Sequence, residues 1–411
     1  MCAYICPEQK IELRNVLSDG IRPQVANEDC KECRQCLDIC PALAIDHRPL
    51  LQAQGLVREV ADAFGPVLEI WEGHAADPEI RHTGSSGGAL TALCLFCLEE
   101  EKMHGVLHVG EDPENPLRNR TRMSRSREEL LSAAGSRYAP ASACDSLPEI
   151  EQAPAPCVFI GQPAEVTALN KAMAVRPELR KKVGLSLSFF CAGSPATQAT
   201  IDLLNKRGIA PEDVKHLRYR GRGWPGMFGV QRKSSPEFEP LMTYRESWGF
   251  LQKYRPFAVH LFPDFSGEDA DIASGDPWYR EVTADEPGTS ILVVRTERGR
   301  QLLHRAIKAG FLVLKPSEPW KLLKSQENMI RKRGAIWGRL AALKLLGVPV
   351  PEFKGFNLFR NWLRIPATDK LKSVFGTARR AIQRGHRHPR RNTPMAGTTA
   401  DSKSVLEKVD S

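Results

Sequence analysis

The chain has 411 residues, 42% of them hydrophobic and 26% charged, with a formal net charge of +9 and eleven cysteines. That length suits two or three domains with at least one sizeable core, and the longest apolar stretch, "ALTALCLFCL", is far short of the ~18 residues of a membrane span. No leader-like sequence opens the chain, so a cytoplasmic location is expected, where clustered cysteines are read as metal ligands rather than disulfides.

The first fifty residues hold six of the eleven cysteines. In "CKECRQCLDICP", Cys30, Cys33, Cys36 and Cys40 follow the C-x2-C-x2-C-x3-C-P spacing of bacterial ferredoxins. Three thiolates on one tight loop cap three iron corners of a cubane. The fourth leaves on a departing turn toward a neighbouring cluster, and the proline stops the chain from closing on its own loop. Zinc is the competing reading, but zinc motifs usually need two separated pairs. The opening "MCAYICP" repeats the end of the motif with Cys2, Cys6 and Pro7. Because the last cysteine of each copy crosses to the other cluster, Cys6, Cys30, Cys33 and Cys36 are expected to hold one 4Fe-4S cluster. Cys2 and Cys40 would then be half of a second. Either a C-x2-C lies upstream of this start, which the presence of Cys2 and Cys40 favours, or the second site is degenerate.

Beyond about residue 51, strand-like runs alternate with helical periodicity, the pattern of an α/β sheet. "GALTALCLFCLEEEKMHGV" reads as a helix after a glycine-rich turn, leading to a strand at "GVLHVG". "APCVFIG" reads as a buried strand before the helix "AEVTALNKAMAV", and "KVGLSLSFFCAG" as a strand before "SPATQATIDLLNKRG". "TSILVVRTERGRQLLHRAIKAGFLVLKP" gives strand, helix and strand. Cys94 and Cys97 form a C-x2-C within an apolar helical run, which points to core packing. After about residue 320 the pattern is helical as far as "VPVPEF". Residues 370–391 then carry eight lysines and arginines and no acid. Such charge suits nucleic acid, an acidic partner or an anionic membrane face. With no fold motif beside it, a solvated terminus is expected and no nucleic-acid partner. The small polar residues from 392 onward are expected to be disordered. The expected fold class is thus mixed α/β (α+β). It comprises a ferredoxin-like module at 1–50, an α/β domain in two parts at 51–185 and 186–345, and a basic tail at 346–411.

Taken in order, "RHTGSSGGALTAL", "AAGSRYAP", "VFIGQPAEVTAL", "SFFCAGSPAT", "RYRGRGWPG", "YRPFAVHLFPDFSGEDADIASGD" and "GTSILVVRTERGRQLL" resemble the coenzyme F420 hydrogenase/dehydrogenase beta-subunit family. Its members are iron-sulfur flavoproteins that pass electrons between clusters, FAD and a partner or small acceptor. The resemblance covers roughly residues 28–345. It implies that Gly84, Ser85, Ser86, Gly87 and Gly88 form a glycine-rich segment near the flavin, and that Ser136, Arg137 and Tyr138 line the same site. Gly161 and Pro163 match a turn where a cofactor approaches backbone. Arg218, Arg220 and Trp224 fall in a "YRG..W" stretch, whose guanidiniums would suit pyrophosphate and whose indole would stack on a ring. Asp271, Gly275 and Asp276 lie in the family's "ADI..GD" segment.

Family members commonly hold a further cluster in this domain. The corresponding positions here are Ala164, Cys191, Val259 and Phe262, so three of four ligands are missing and no internal cluster is expected. No GxGxxG follows a strand, which argues against a nicotinamide site of the Rossmann kind. The resemblance implies an oxidoreductase in which 4Fe-4S clusters carry single electrons and FAD converts them to two-electron chemistry. Ferredoxin or another redox subunit would be its partner, and a deazaflavin or other small molecule its acceptor. A non-catalytic electron-transfer subunit and a degenerate, partner-binding member are the alternatives.

Overall fold

The apolar runs of the middle of the chain are strands of one sheet. The computed structural model describes residues 1–25, 30, 33–283 and 286–387. Its strands are β1 (Ile11–Val16), β2 (Gly20–Val25), β3 (Ala44–Asp46), β4 (Glu69–Ala75), β5 (Val106–Glu111), β6 (Asn119–Ser124), β7 (Cys157–Gly161) and β8 (Val183–Phe189). They continue with β9 (Val214–Arg218), β10 (Met227–Arg232), β11 (Phe238–Thr243), β12 (Ile272–Gly275), β13 (Ser290–Val294), β14 (Leu312–Pro316) and β15 (Glu352–Lys354). Eight of these form a mixed sheet in the order β14-β4-β13-β12-β8-β7-β5-β6. β5, β7, β8 and β12 are parallel neighbours, with antiparallel strands on either side. β13, "SILVV", is buried at every position, as a strand covered on both faces must be.

Three of the expected helices cover this sheet, Ala89–Glu99, Pro163–Val175 and Glu297–Lys308, while Thr197–Lys206 packs its Ala199, Leu203 and Leu204 with residues of β9 and β10. Ala89–Glu99 is apolar all round and buries Cys94 and Cys97 completely, the behaviour of a core helix. Burial pushes the Cys97 thiol up to about 12, so this pair packs as core. The division anticipated at residue 185 falls inside β8, and both parts contribute to the one sheet. A three-stranded antiparallel sheet, β11-β10-β9, had not been anticipated. Among the described residues no helix is long and apolar enough to cross a membrane.

Among the long-range ties that hold the first fifty residues are a strand pairing and a buried ion cluster. β3 pairs in parallel with β15, Ala44 opposite Glu352. Directly after β3, His47 is buried between two carboxylates, Nδ1 at 3.1 Å from Glu268 Oε2 and Nε2 at 2.8 Å from Asp269 Oδ2. Burial alone would lower the imidazole pKa, but hydrogen bonds to Asp269 and Glu268 outweigh it and push it up to about 10. The ring is therefore an imidazolium. Burial works against the Glu268 carboxylate too, yet Arg333 and His47 hold it down at about 2. Thr167 Oγ1 donates to Asp269 Oδ2 at 2.6 Å, and Asn170 Nδ2 donates to its carbonyl at 2.7 Å.

The stretch expected as a tail is folded as far as residue 387. Helices Leu358–Arg364 and Ala367–Gln383 pack on Ile336–Leu345. Trp337 and Trp362 meet with ring centroids 4.7 Å apart, and Trp362 Nε1 donates to Ser373 Oγ at 3.1 Å. Ser373, Thr377 and Ala381 are the buried positions of the last helix, a small-residue stripe at four-residue spacing that lets helices approach closely. Charge counting saw the exposed side of this helix and not that stripe. Residues 388–411, which include the segment expected to be disordered, lie outside the described residues.

Candidate functional site

β7, β8 and β12 run parallel and end on the same edge of the sheet, at Gly161, Phe189 and Gly275. A cavity of about 1510 Å³ opens on that edge, where ligands of open α/β sheets bind. It exceeds the ~300–1,000 Å³ of an ordinary small-molecule pocket.

β4 runs in the same direction and delivers the glycine-rich turn to the rim. Gly84, Ser85, Ser86 and Gly88 line the cavity. Gly87 instead faces the sheet, its N–H donating to Ser290 Oγ at 2.9 Å and its carbonyl accepting from Ala75 at 2.7 Å. Ser85 Oγ accepts from the Ser136 N–H at 2.6 Å, which joins two segments anticipated separately. Gly88, at φ +69°, precedes the helix Ala89–Glu99 and offers no side-chain cap; a Cβ there would lie 2.5 Å from the Ile80 carbonyl oxygen. Ala89, Leu90 and Thr91 border the cavity, so the amides and positive dipole end of this helix are placed to receive phosphate oxygens. Gly135, at φ +114°, leaves open space, its nearest neighbour being the Arg220 carbonyl oxygen at 3.7 Å from a notional Cβ. The cradle fits the pyrophosphate of a dinucleotide such as FAD.

The anticipated arginines differ from this picture. Arg137 borders the cavity, but its guanidinium is fully occupied by Asn119, Glu111, and the carbonyls of Leu217, Pro116 and Arg118 at 2.6–3.1 Å. It clamps β5, β6 and β9 together. Arg220 and Asp276, expected separately at the cofactor, form one bidentate pair at 3.0 and 2.7 Å, with Arg220 buried. Trp224 Nε1 donates to the same carboxylate at 2.8 Å, and its ring stacks on Trp278 at 5.4 Å rather than standing free. Trp278 in turn stacks on Tyr244 at 5.8 Å, and the Arg220 guanidinium lies 4.4 Å from the Tyr244 ring centre. With Tyr138 and Trp248, 5.0 Å apart, these rings make an aromatic side to the cavity. Arg218 lies over Phe238 instead, and Pro163 serves as the first residue of its helix.

Asp271 is not part of the cavity surface. Its carboxylate accepts from the Ser186 N–H at 2.8 Å and hydroxyl at 2.9 Å, from Thr296 Oγ1 at 2.5 Å and from Arg298 at 2.6 Å, joining β8 and β12 to the start of helix Glu297–Lys308. Asp271→Asn is therefore expected to cost about 1–3 kcal/mol in urea unfolding while flavin absorbance per folded chain stays unchanged. Lost flavin at unchanged stability would return Asp271 to the site.

Several cavity residues were not anticipated. Gln162 and Glu165 form a capping box at the start of helix Pro163–Val175, a spacing that "QPAE" displays openly. Glu165 accepts from the Ala143 N–H at 2.6 Å and the Gln162 N–H at 2.9 Å, and burial raises its pKa. Gln162 Nε2 donates to Ser194 Oγ at 3.0 Å. Cys191 borders the cavity with its thiol pushed up to about 11 by burial, while Val259 packs against Gly193 and Phe262 against Phe353. His108 is held neutral, its pKa lowered to about 4 by burial, beside Ser124 Oγ at 2.8 Å.

The cysteine-rich segment sits outside the same part of the cavity. Helix Cys2–Ile5 packs on Gln35–Asp38 and on the turn around Ala143–Ser146, and the N-terminal amine acts electrostatically on Glu165. All six cysteines here are free thiols, the right donors for iron and sulfur. Burial, then neighbouring Cys2 and Cys33, raise the pKa of Cys36. Among the described residues no three donors converge as a metal-ion site. Four residues before Cys30 and two after it lie outside the described residues.

Residues 70–147 match the family described as coenzyme F420 hydrogenase/dehydrogenase, beta subunit N-term, and residues 156–319 match the corresponding C terminus. The chain is 24% identical over 295 residues to the coenzyme F420 hydrogenase subunit beta of Methanococcus voltae, covering 70% of this chain and 99% of that protein. It is 23% identical over 304 residues to the coenzyme F420-dependent sulfite reductase of Methanocaldococcus jannaschii, covering 66% of this chain and 45% of the relative. In fold it resembles a chain of the F420-reducing NiFe hydrogenase complex from Methanosarcina barkeri, with a TM-score of 0.53 and 21% identity, over 68% of this chain and 94% of the other. With both halves of its sheet matched in order, the chain belongs to the coenzyme F420 hydrogenase/dehydrogenase beta subunit family.

Proposed function

We propose that this protein is a cytoplasmic iron-sulfur flavoprotein oxidoreductase that transfers electrons between 4Fe-4S clusters near its N-terminus and a small acceptor, with FAD in the cavity. The observation that carries this reading is the shared wall. Gln162 and Glu165 border the cavity, Glu165 accepts from the Ala143 N–H, and the turn Ala143–Ser146 packs against the cysteine-bearing helix Cys2–Ile5. Bound FAD would supply the exchange between one-electron and two-electron chemistry. Ser85, Gly88 and the first amides of helix Ala89–Glu99 would hold its pyrophosphate, and the rings of Tyr138, Tyr244 and Trp248 would exclude water beside it. Cys6, Cys30, Cys33 and Cys36 are the proposed ligands of one cluster, with Cys2 and Cys40 belonging to a second. A deazaflavin of the kind named for the relatives is one candidate acceptor, and ferredoxin or another redox subunit the candidate partner.

Anaerobic purification with iron, sulfide and flavin counts tests the reading. About four irons and one FAD per chain are expected, with iron lost in Cys36→Ser and flavin retained. A colourless protein with neither group would overturn it. The reading as a non-catalytic relay subunit also has an observation in its favour. Helix Ala367–Gln383 turns Leu371, Phe375 and Ile382 to solvent among basic residues, a surface suited to a partner subunit. Co-purification with a catalytic subunit, and no turnover of the isolated chain, would favour it.

A further inference from the structure

Beside Cys191 the structure gathers positive charge without an answering negative one. Arg255 and His260 come from the turns that follow residue 251, Lys332 from helix Glu327–Gly334, Arg339 from Ile336–Leu345 and Arg380 from Ala367–Gln383. Arg255 donates to the carbonyls of Ala192 at 2.7 Å and Gln252 at 3.0 Å, and Arg339 to that of His260 at 2.5 Å. These are neutral acceptors. Among the described residues, no carboxylate is hydrogen-bonded or ion-paired to Arg255, Lys332, Arg339 or Arg380; these four cations and the neutral His260 feel one another, further arginines around Arg380 and, for Arg255 and Lys332, the Cys191 sulfur. The Nε atoms of Arg339 and Arg380 are buried with no hydrogen-bond partner.

Buried cations are normally paired, because desolvation and mutual repulsion otherwise cost several kcal/mol. Both effects are felt here: burial first, then neighbouring cations, lower Lys332 to about 8, Arg339 to about 10 and His260 to about 3. The carboxylates nearest Cys191 do not answer the charge. Glu165 is engaged by the amides of Ala143 and Gln162, and Asp264 by those of Ser266, Gly267 and Glu268. The cluster meets the cavity through Lys332, which lines it together with Cys191, Gly193 and Ser194. Three arginines of the cavity surface are already occupied: the buried Arg220 by Asp276, and the partly buried Arg137 and Arg280 by Glu111 and Glu286. Among the described residues, an anion that enters the cavity therefore finds unpaired positive charge at Lys332 and at the exposed Arg245, and of the two only Lys332 is backed by further cations. Three guanidiniums and an ammonium outmatch the single charge of a carboxylate and suit a phosphate dianion with three acceptor oxygens.

We propose that Lys332, Arg255, Arg339 and Arg380 form an oxyanion site of the cavity that takes the phosphate group of a phosphorylated acceptor. That the phosphate belongs to an acceptor rests on the flavoprotein reading; the binding of phosphate does not.

The test uses the full chain as purified, in phosphate-free buffer, with inorganic phosphate as the probe, followed by thermal unfolding, by 31P NMR and by flavin absorbance. Phosphate is expected to raise the unfolding temperature of the parent protein. Lys332→Met and Arg339→Met should each bind it at least about tenfold more weakly. In the absence of phosphate each variant should unfold at a higher temperature than the parent, because one repelling charge is gone. Variants that bind phosphate like the parent, or are less stable than it without phosphate, would overturn the site. Phosphate that displaces flavin one for one would assign these cations to the cofactor's pyrophosphate and overturn the acceptor assignment. A protein without flavin that still binds phosphate through Lys332 would sink the flavoprotein reading and leave the site standing.

Discussion

Arg220→Met is expected to strip flavin from the cavity and to lower stability by about 3–5 kcal/mol. Removing the guanidinium leaves the Asp276 carboxylate half-enclosed, with Trp224 Nε1 as its remaining side-chain donor. It also removes the bond to the Pro225 carbonyl at 3.2 Å and the cation beside the Tyr244 ring. Asp276 would then either recruit water into an aromatic wall or take up a proton, and the stack of Trp224, Trp278 and Tyr244 would lose its anchor. Arg220→Lys keeps the charge but not the two-pronged geometry, so it should recover part of the stability and little of the flavin. Urea unfolding and flavin absorbance per chain check both variants. Unchanged flavin and a loss under about 1 kcal/mol would mean that the ion pair does not organise the wall.

His47→Gln should have an effect of similar size, about 3–5 kcal/mol, through the seam between the cysteine-rich segment and the sheet domain. Glu268 would keep Arg333, but Asp269 would lose its only cationic hydrogen-bond partner among the described residues. The pH dependence has a definite sign. The His47 pKa rises from 6.5 to about 10 on folding, so its contribution is complete below about 6.5 and is lost as pH rises toward 10. The loss amounts to at most ~1.4 kcal/mol per pH unit. The Glu268 pKa falls from 4.5 to about 2, so its contribution is present above 4.5 and is lost as pH falls through 2. Urea unfolding between pH 6 and pH 9.5 should show the parent losing stability faster than His47→Gln. Parallel profiles for the two proteins would contradict an imidazolium at this position. Trypsin should also cut the variant faster within its first fifty residues, at sites such as Lys10 and Arg14.

The strands and helices around β5, β7, β8, β13 and β14 were legible because each of these strands is a short run rich in apolar residues that ends in a turn, whereas β9, β10 and β11, which mix charged and apolar residues, were not. The glycine-rich turn was legible for a similar reason, since glycine marks where backbone must come close. Charged side chains were less so. A sequence identifies Arg137, Arg220, Asp271 and Asp276 as residues needing partners, but those partners come from elsewhere in the chain: Glu111 for Arg137, Ser186 for Asp271. Arg220 and Asp276, read as two cofactor contacts, answer each other. The cation cluster was hidden for the same reason, because its members span residues 255–380 and come together only through the packing of separate helices and turns. The last helix was misread because its exposed face carries the charge while Ser373, Thr377 and Ala381, small and easily overlooked, carry the packing.

The pairing of β3 with β15 has a consequence for biogenesis. As the polypeptide leaves the ribosome, the first cysteines emerge some three hundred residues before the strand that secures them, and domains generally fold as they are synthesised. The sheet of β4 to β14 is complete by residue 316, whereas the amino-terminal arm remains without its edge partner until residue 354 has been added. Assembly factors thus have an interval in which the thiols are accessible beside a preformed core. A translation product ending before that point would retain the core and hold the arm by His47 and the packing of helix Cys2–Ile5, without its strand pairing.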